Sequence, residues 1–179
     1  AQCEDLKETA HMKEAASEPD PDDSVYTDVE EPAYTETVIG ETTMNGLRIK
    51  DCSITADYRP NPTGRRIPYL FASIRYPQVS GMEDKSIEKK VNKLLKNAAT
   101  QSLDNRNADQ TLRLFNDIVN HGLNTFWSGD NEYNMVYVGD KSISVGYEGM
   151  VYFGGAHPSS FHDYITINLL SGEMVPFTD

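Results

Sequence analysis

The apolar residues of this chain change their spacing twice along the sequence, and this order constrains the fold more than any other feature. In 47–56 and 67–76 the spacing is two, which is typical of β-strands. In 85–103 and 109–122 it is three and four, which predicts two amphipathic helices. From Asn131 the spacing of two returns. Strands, helices and strands in this order predict an α+β fold: an antiparallel β-sheet with two amphipathic helices packed on one face.

The first 44 residues lack this periodicity. Acidic residues and prolines such as Pro19, Pro21 and Pro32 are frequent there, and large aliphatic residues are few. Such a segment offers too little apolar surface to offset the entropy lost on ordering the chain. We therefore predict a largely disordered acidic leader or linker over 1–44, followed by a single domain over 45–179.

The predicted domain divides into three regions. Residues 45–82 form a β-hairpin region, 83–127 a helical region and 128–179 a β-rich region. Turn dipeptides separate the strands of the last region, as at Gly139-Asp140 and Ser171-Gly172.

The net charge of −12 is concentrated at one end of the chain. Residues 1–45 contain 13 acidic and 2 basic residues, which leaves 15 acidic and 14 basic residues in 46–179. The domain is thus close to neutral and the leader is strongly acidic. Because an acidic segment repels the phosphates of nucleic acids and anionic lipids, we expect no nucleic-acid partner and allow a cationic one.

Two further features concern the compartment. No run of about 18 apolar residues is present, so we expect no membrane span in this chain. The two cysteines, Cys3 and Cys52, could pair in an oxidising compartment and tie the leader to the first strand. Two unpaired thiols are the equal alternative.

The most distinctive stretch is 146–158. Its paired glycines, Gly154-Gly155, allow a positive φ or a tight crossing directly after a strand, and Pro158 sets the direction of the exit. His157 lies at this bend. Two interpretations stay open: His157 holds the turn through the loop backbone, or it belongs to a ligand or metal site together with His162 and Asp163.

The residue types of a hydrolase are present near this bend. His157, His162 and Asp163 could supply a base and an orienting acid, but a Gly-x-Ser-x-Gly motif is absent. The histidine spacing matches no strong zinc pattern. Nothing in the sequence selects a useful pair among the domain's candidate carboxylates. Those candidates are Glu132, Glu148, Asp163 and Glu173. We predict no catalytic residue, metal or cofactor, and keep a hydrolase at this bend as an alternative.

The segment 133–164 is rich in aromatic residues, most of which sheet packing explains. Tyrosine also provides contact area at low entropic cost in protein-binding surfaces. We therefore predict a binding surface beside the bend. Its members are Tyr147, Tyr152, His157, Phe161 and His162.

These motifs resemble a known family. The tyrosine-rich segment 144–153, the Gly-Gly-Ala-His-Pro bend and the hairpin segment 165–173 resemble the DUF3298 family. The upstream segment 74–95 resembles the partner region called DUF4163. The resemblance covers 45–179, although the family pattern continues past the last strand, as expected if this chain is a trimmed fragment or a short domain.

The resemblance implies an extracytoplasmic location, secreted or in the cell envelope. Relatives include the outer domain of RsiV-type anti-sigma factors, which bind lysozyme, and an accessory domain of PdaC-type peptidoglycan deacetylases. It implies a non-catalytic binding or sensing domain whose partner is a cationic protein such as lysozyme, or a cell-wall glycan. A structural envelope component is a further alternative.

Overall fold

The structure is a computed structural model that describes residues 33–59, 69–123 and 125–176. These residues form seven strands and two helices. In chain order the elements are β1 (Thr35–Met44), β2 (Leu47–Tyr58), β3 (Tyr69–Ser80), α1 (Lys85–Asp104), α2 (Ala108–Asn120), β4 (Phe126–Val138), β5 (Ser142–Tyr152), β6 (Ser159–Asn168) and β7 (Glu173–Met174).

The strands of the described residues form one sheet whose spatial order is the chain order, with β1 at one edge and β7 at the other. Neighbours are antiparallel except β3 and β4, which run parallel with Tyr69 opposite Phe126 and Ile74 opposite Asn131. A parallel pair needs a crossover of a dozen or more residues, and α1 and α2 supply it. The α+β class is confirmed. The predicted antiparallel pairing is wrong for β3 and β4. Helix periodicity does not reveal at which end of the sheet the chain returns, and that end decides the direction of the next strand.

The predicted β-hairpin is present. Strands β2 and β3 pair antiparallel from Arg48 opposite Ser80 to Tyr58 opposite Leu70. The predicted turn at Gly139-Asp140 connects β4 to β5, and the predicted Ser171-Gly172 turn connects β6 to the short β7. Strand β4 begins at Phe126, so the predicted helical region ends slightly before its expected boundary at 127.

The predicted boundary between leader and domain is wrong. Residues 35–44 form β1, which pairs antiparallel with β2 across its whole length, apart from a bulge at Ile39. All ten residues are exposed, so no apolar periodicity marks the strand. Its stability comes from backbone pairing with β2 and from its β-branched residues. A search for buried residues detects neither contribution. Residues 1–32 of the predicted leader lie outside the described residues.

Helix α1 is capped by Asp84. The Asp84 carboxylate accepts hydrogen bonds from the backbone N–H groups of Ser86 and Ile87 at 2.8 and 3.1 Å. Its buried stripe, which includes Val91 and Leu95, packs on β3 to β6. Neither helix of the described ranges is long and apolar enough to cross a membrane.

Helix α2 is capped by Asn107. Asn107 and Gln110 each accept a hydrogen bond from the other's backbone N–H, at 3.0 and 3.1 Å, which is a capping box. Asp109 lies in the first turn, where a negative charge favours the helix dipole. Phe115 of α2 meets the Trp127 ring of β4 edge-to-face at 4.9 Å, so both helices cover the same face of the sheet.

Candidate functional site

The two faces of the sheet differ in their cover. The side chains of β3 alternate: Leu70, Ala72 and Ile74 are buried beneath the helices, whereas Phe71 and Ser73 point to the opposite face and are half-exposed. We call this opposite face of β2 to β6 the open face, because no described helix lies over it. Exposed side chains on the open face are available to a partner.

A row of charged side chains crosses the open face from strand to strand. Arg75 of β3 forms ion pairs with Asp51 of β2 and with Glu132 of β4, the latter at 2.5 Å. Glu132 lies directly opposite Glu148 of β5. The Nδ1 atom of His162 on β6 is 3.3 Å from the Glu148 carboxylate. These five residues, the charge row, link five adjacent strands.

The centre of the charge row is a like-charge pair. Carboxylates directly opposite one another on neighbouring antiparallel strands destabilise a sheet. The Glu132 and Glu148 side chains are 61% and 66% exposed, so water attenuates this repulsion. At the shielded end of the row, the hydrogen bond to Asp51 is the main cause that raises the pKa of Arg75. The row therefore combines ion pairs on either side with a direct like-charge opposition at its centre.

Two asparagines fix the strand that carries Arg75. Beyond Ile74, β4 leaves β3, and the N–H and C=O groups of that β3 edge need other partners. The buried Asn131 side chain bonds both the N–H and the C=O of Arg75, at 2.9 and 3.1 Å. Asn92 of α1 bonds the same two groups of Val79 at 2.8 and 2.9 Å. Asn131 thus holds the backbone of Arg75 next to Glu132.

A glycine permits the close approach of β4 and β5 beside the glutamate pair. A Cβ atom on Gly149 would overlap the backbone carbonyl of Asp130 and lie 2.8 Å from the Cα of Asn131. Real Cβ atoms do not come this near to backbone atoms, so a side chain here would force the strands apart. Gly149 therefore fixes the spacing between Glu132 and Glu148.

An aromatic cluster lies on the open face where β3 and β4 begin. The Tyr69 and Phe126 rings are stacked, with centroids 4.4 Å apart, and Tyr152 meets Phe126 edge-on at 5.1 Å. The guanidinium of Arg59 lies 5.6 Å from the Tyr69 ring centre and 6.0 Å from that of Phe71. Within this cluster, Phe126 and Tyr152 are adjacent and half-exposed.

Of the five predicted binding residues, two lie on the open face. Tyr152 belongs to the aromatic cluster and donates a hydrogen bond to the Gly155 carbonyl at 2.6 Å. His162 belongs to the charge row. His157 is exposed in the bend between β5 and β6.

The other two predicted residues face the helices. Tyr147 is only 2% exposed, and its hydroxyl donates to the Leu95 carbonyl at 2.9 Å; burial raises its pKa well above the ordinary range. Phe161 is half-buried against the core. Placing Tyr147 on a binding surface was wrong, because odd-numbered residues of β5 in this stretch point to the core while Glu148 and Tyr152 point away.

The members of the alternative hydrolase site are divided between two faces. His162 contacts Glu148 on the open face, whereas Asp163 lines a groove beside α1 with Asn97 and Ile165. Adjacent residues of a strand point to opposite faces, so these two side chains do not form a base and orienting-acid pair. Within the described part of the chain, no three His, Cys, Asp or Glu side chains form a group suited to a metal ion.

The predicted cysteine pair is half described. Cys52 is buried in the core, and burial is the main cause that raises the pKa of its thiol. Cys3 lies outside the described residues, so the disulfide stays a prediction.

Sequence reasoning missed Arg75 and Asn131 and named Glu132 and Glu148 without selecting them. The β4–β5 turn at Gly139-Asp140 contained the needed signal, because a hairpin closed there sets the two glutamates near one another. The bulge between Met135 and Tyr137 shifts that register, and it is visible only in the structure.

The fold and the charge row define an α+β domain with one face of its sheet left open. Residues 68–160, just over half of the chain, match the family model described as Deacetylase PdaC. The chain belongs to this family, and the resemblance inferred from the sequence is thereby confirmed.

Two solved structures are similar to this chain. One is a DUF3298 family member from Bacteroides fragilis NCTC 9343, with a TM-score of 0.49 and 12% identity over 75% of this chain and 60% of that chain. The other is a DUF3298 family protein from Pseudomonas aeruginosa PAO1, with a TM-score of 0.41 and 13% identity over 70% of this chain and 54% of that chain. This chain thus covers less than two thirds of either. No curated protein matches the sequence.

Proposed function

We propose that this domain is an extracytoplasmic, non-catalytic binding module that recognises a cationic protein through its open face. The observation that carries the proposal is the direct opposition of Glu132 and Glu148 at the centre of the charge row. A basic side chain placed between the two carboxylates would relieve their repulsion and form charge-assisted hydrogen bonds.

The net charge of the open face supports a cationic partner. Among the described residues on this face of β2 to β6, together with Arg59 directly after β2, five carboxylates accompany two arginines, which gives −3 with histidine neutral. They are Asp51, Asp57, Asp130, Glu132 and Glu148, with Arg59 and Arg75. Such a field steers a basic partner towards the face and repels an acidic one.

Apolar groups beside the charge row complete a protein-binding surface. Met150 of β5 is 49% exposed and lies next to Glu148, while Tyr164 of β6 is 63% exposed and lies over Gly146. The exposed Val136 side chain also lies beside Gly146. Aromatic and methionine side chains around a polar centre are typical of protein interfaces.

Lysozyme is the partner that the family resemblance suggests, and the extracytoplasmic location has the same basis. Lysozyme is a cation, which fits a face of negative charge. The separation of His162 from Asp163 supports a non-catalytic role over the alternative hydrolase.

The direct test is calorimetric titration of the full chain with lysozyme. We expect binding that weakens as salt is raised, because exposed charges are screened within about 8 Å at physiological ionic strength. Glu132→Gln and Glu148→Gln should each weaken it about tenfold, the effect of losing one hydrogen bond to a charged group. Glu41→Gln, at an exposed position of β1 away from the charge row, is the matched control and should leave the affinity unchanged.

The same variants have a stability readout that separates binding from folding. Neutralising Glu148 removes a like-charge opposition, so the free energy of unfolding should stay the same or rise by about 0.2–0.5 kcal/mol. A binding loss without a stability loss supports the proposal. An absence of lysozyme binding, or an equal loss in Glu41→Gln, contradicts it.

The aromatic cluster favours a second candidate, a cell-wall glycan. Phe126 and Tyr152 are half-exposed and adjacent, as sugar-stacking residues need to be. Titration with soluble peptidoglycan fragments tests this candidate, and Tyr152→Ala should abolish binding while Glu148→Gln should not. Peptidoglycan binding that Tyr152→Ala leaves intact would contradict this candidate.

A further inference from the structure

The outer face of α1 carries three lysines without acidic partners among the described residues. Lys85 is paired with Glu88 at 2.9 Å and Lys96 with Glu36 at 2.6 Å. Lys89, Lys90 and Lys93 are exposed and form no ion pair within the described residues. We call these three residues the lysine stripe. A stripe of one charge attracts an acidic segment, provided that something else fixes where the segment lies.

An apolar cleft adjoins the lysine stripe. The stems of Lys90 and Lys93, the Leu94 side chain and Met174 of β7 surround a cleft of about 350 Å³. Gly172 and Glu173 also line this cleft. Met174 is 57% exposed. The surface therefore suits a segment that has apolar side chains next to acidic ones.

The N-terminal part of the described chain already contacts this helix. Glu36 of β1 reaches across the sheet edge to the ammonium group of Lys96 and accepts a hydrogen bond from the Tyr76 hydroxyl. Lys96, Lys93 and Lys89 follow one another at spacings of three and four, so they lie on one side of α1. The lysine stripe is therefore continuous with an existing contact between the acidic end of the chain and α1.

From this geometry we propose that the acidic segment 18–31 of the same chain docks along the lysine stripe, with Val25 and Tyr26 in the adjoining cleft. The segment contains seven acids and no base. Its end lies two residues before Ala33, whose N–H donates to the Asn116 side chain of α2 at 3.0 Å. Fourteen residues span up to about 46–50 Å when extended, so the segment can return along α1 from this anchor.

Docking in this manner gives the acidic N-terminal segment a role. It covers a basic surface that would otherwise attract anionic polymers, and it leaves the open face on the opposite side of the sheet accessible. The two surfaces are independent, so a failure of one proposal does not affect the other.

Paramagnetic relaxation in the full chain tests the docking. A spin label is placed in the segment by Ser24→Cys in a Cys3→Ser background. Cys52 should be spared because it is buried and its raised pKa keeps the reactive thiolate scarce. We expect the amide signals of 89–94 to be weakened at low salt. They should recover at 1 M salt, where the Debye length is about 3 Å.

Charge reversal identifies the contact. The triple variant Lys89→Glu, Lys90→Glu and Lys93→Glu should lower the docked-to-free ratio about tenfold, the combined effect of several exposed ion pairs. The matched control reverses the same number of basic residues at exposed sites outside the lysine stripe. It should keep the signal loss. It carries Arg48→Glu, Arg113→Glu and Lys141→Glu.

Several results would overturn the proposal. These are signal loss that is uniform or absent, signal loss centred away from α1, or recovery of the signals in the control variant to the same extent as in the triple variant. Signal loss that arises only between a tagged unlabelled chain and an untagged ¹⁵N-labelled chain would assign the contact to a second copy, which also overturns it. Well-dispersed spectra confirm in each case that the variant is folded.

Discussion

Side chains alternate between the two faces of the sheet, and the two faces stabilise them in different ways. On the covered face, Ile54, Ile74 and Trp127 are almost fully buried, and apolar packing stabilises them. On the open face the side chains are half-exposed and meet as ion pairs, ring contacts and one like-charge opposition. Burial on the covered face therefore explains why the chain folds. The charged and aromatic contacts of the open face are not required for folding.

Tyrosine illustrates the difference within one hairpin. Tyr147 is buried beneath α1 with its hydroxyl bonded to Leu95, whereas Tyr164 is largely exposed over Gly146. The residue type is the same, and the parity of the position decides whether it stabilises the core or is available to a partner.

The largest expected effect tests the covered face. Phe115→Ala removes a fully buried ring that packs on Trp127, and we expect the free energy of unfolding to fall by about 3–5 kcal/mol. Tyr164→Ala, the control on the open face, should change it by less than about 0.5 kcal/mol, as exposed substitutions usually do. Urea denaturation measures both. Equal losses would remove the distinction between the faces.

The next effect concerns the edge of β3. Asn131→Ala leaves the N–H and C=O of Arg75 without their side-chain partner, at an expected cost of about 1–3 kcal/mol. The Arg75 backbone should also exchange its amide hydrogen faster, which hydrogen-exchange measurements detect. A variant as stable as the parent would show that water replaces Asn131 without loss.

A comparable effect is expected at the spacing of β4 and β5. Gly149→Ala should destabilise the protein by about 1–3 kcal/mol, because the added methyl group overlaps the Asp130 carbonyl. Gly155→Ala is the control, since a Cβ atom there meets nothing within 4 Å. Thermal unfolding of the pair distinguishes overlap from a general intolerance of the region to alanine.

The smallest effect is a pH dependence at the edge of the sheet. Burial alone would raise the pKa of Glu36, but hydrogen bonds from Lys96 and Tyr76 hold it below its ordinary value of 4.5. A lowered folded-state pKa means that the stabilisation is complete above the unfolded-state value and is lost as the pH falls through the folded-state value. The stability difference between the parent and Glu36→Gln should therefore be constant near neutral pH and shrink below about 4.5. A difference that persists in acid would assign it to packing.

Much of the fold could be predicted because its signals are local. The Asp84 cap and the stripe of α1 depend on residues within a few positions of one another. The bend after β5 was also expected, and Gly154 adopts a φ of +77°, in the region that favours glycine. Strand β1 escaped detection because its ten residues are all exposed, so burial periodicity does not mark it, although it pairs with the adjacent β2 across the turn at Asn45 and Gly46.

The candidate site was harder to predict because it depends on register between segments far apart in the chain. Arg75 and Glu132 are 57 residues apart, and no local pattern connects them. The sequence by itself determined the helices, most of the strands and the alternation that divides each strand into two sets of side chains. Only the tertiary structure decided which set the helices cover, that β3 and β4 run parallel, and that Glu132 stands opposite Glu148. The physical reason is that periodicity is a property of one segment, whereas burial and electrostatic contact depend on how separate segments pack together.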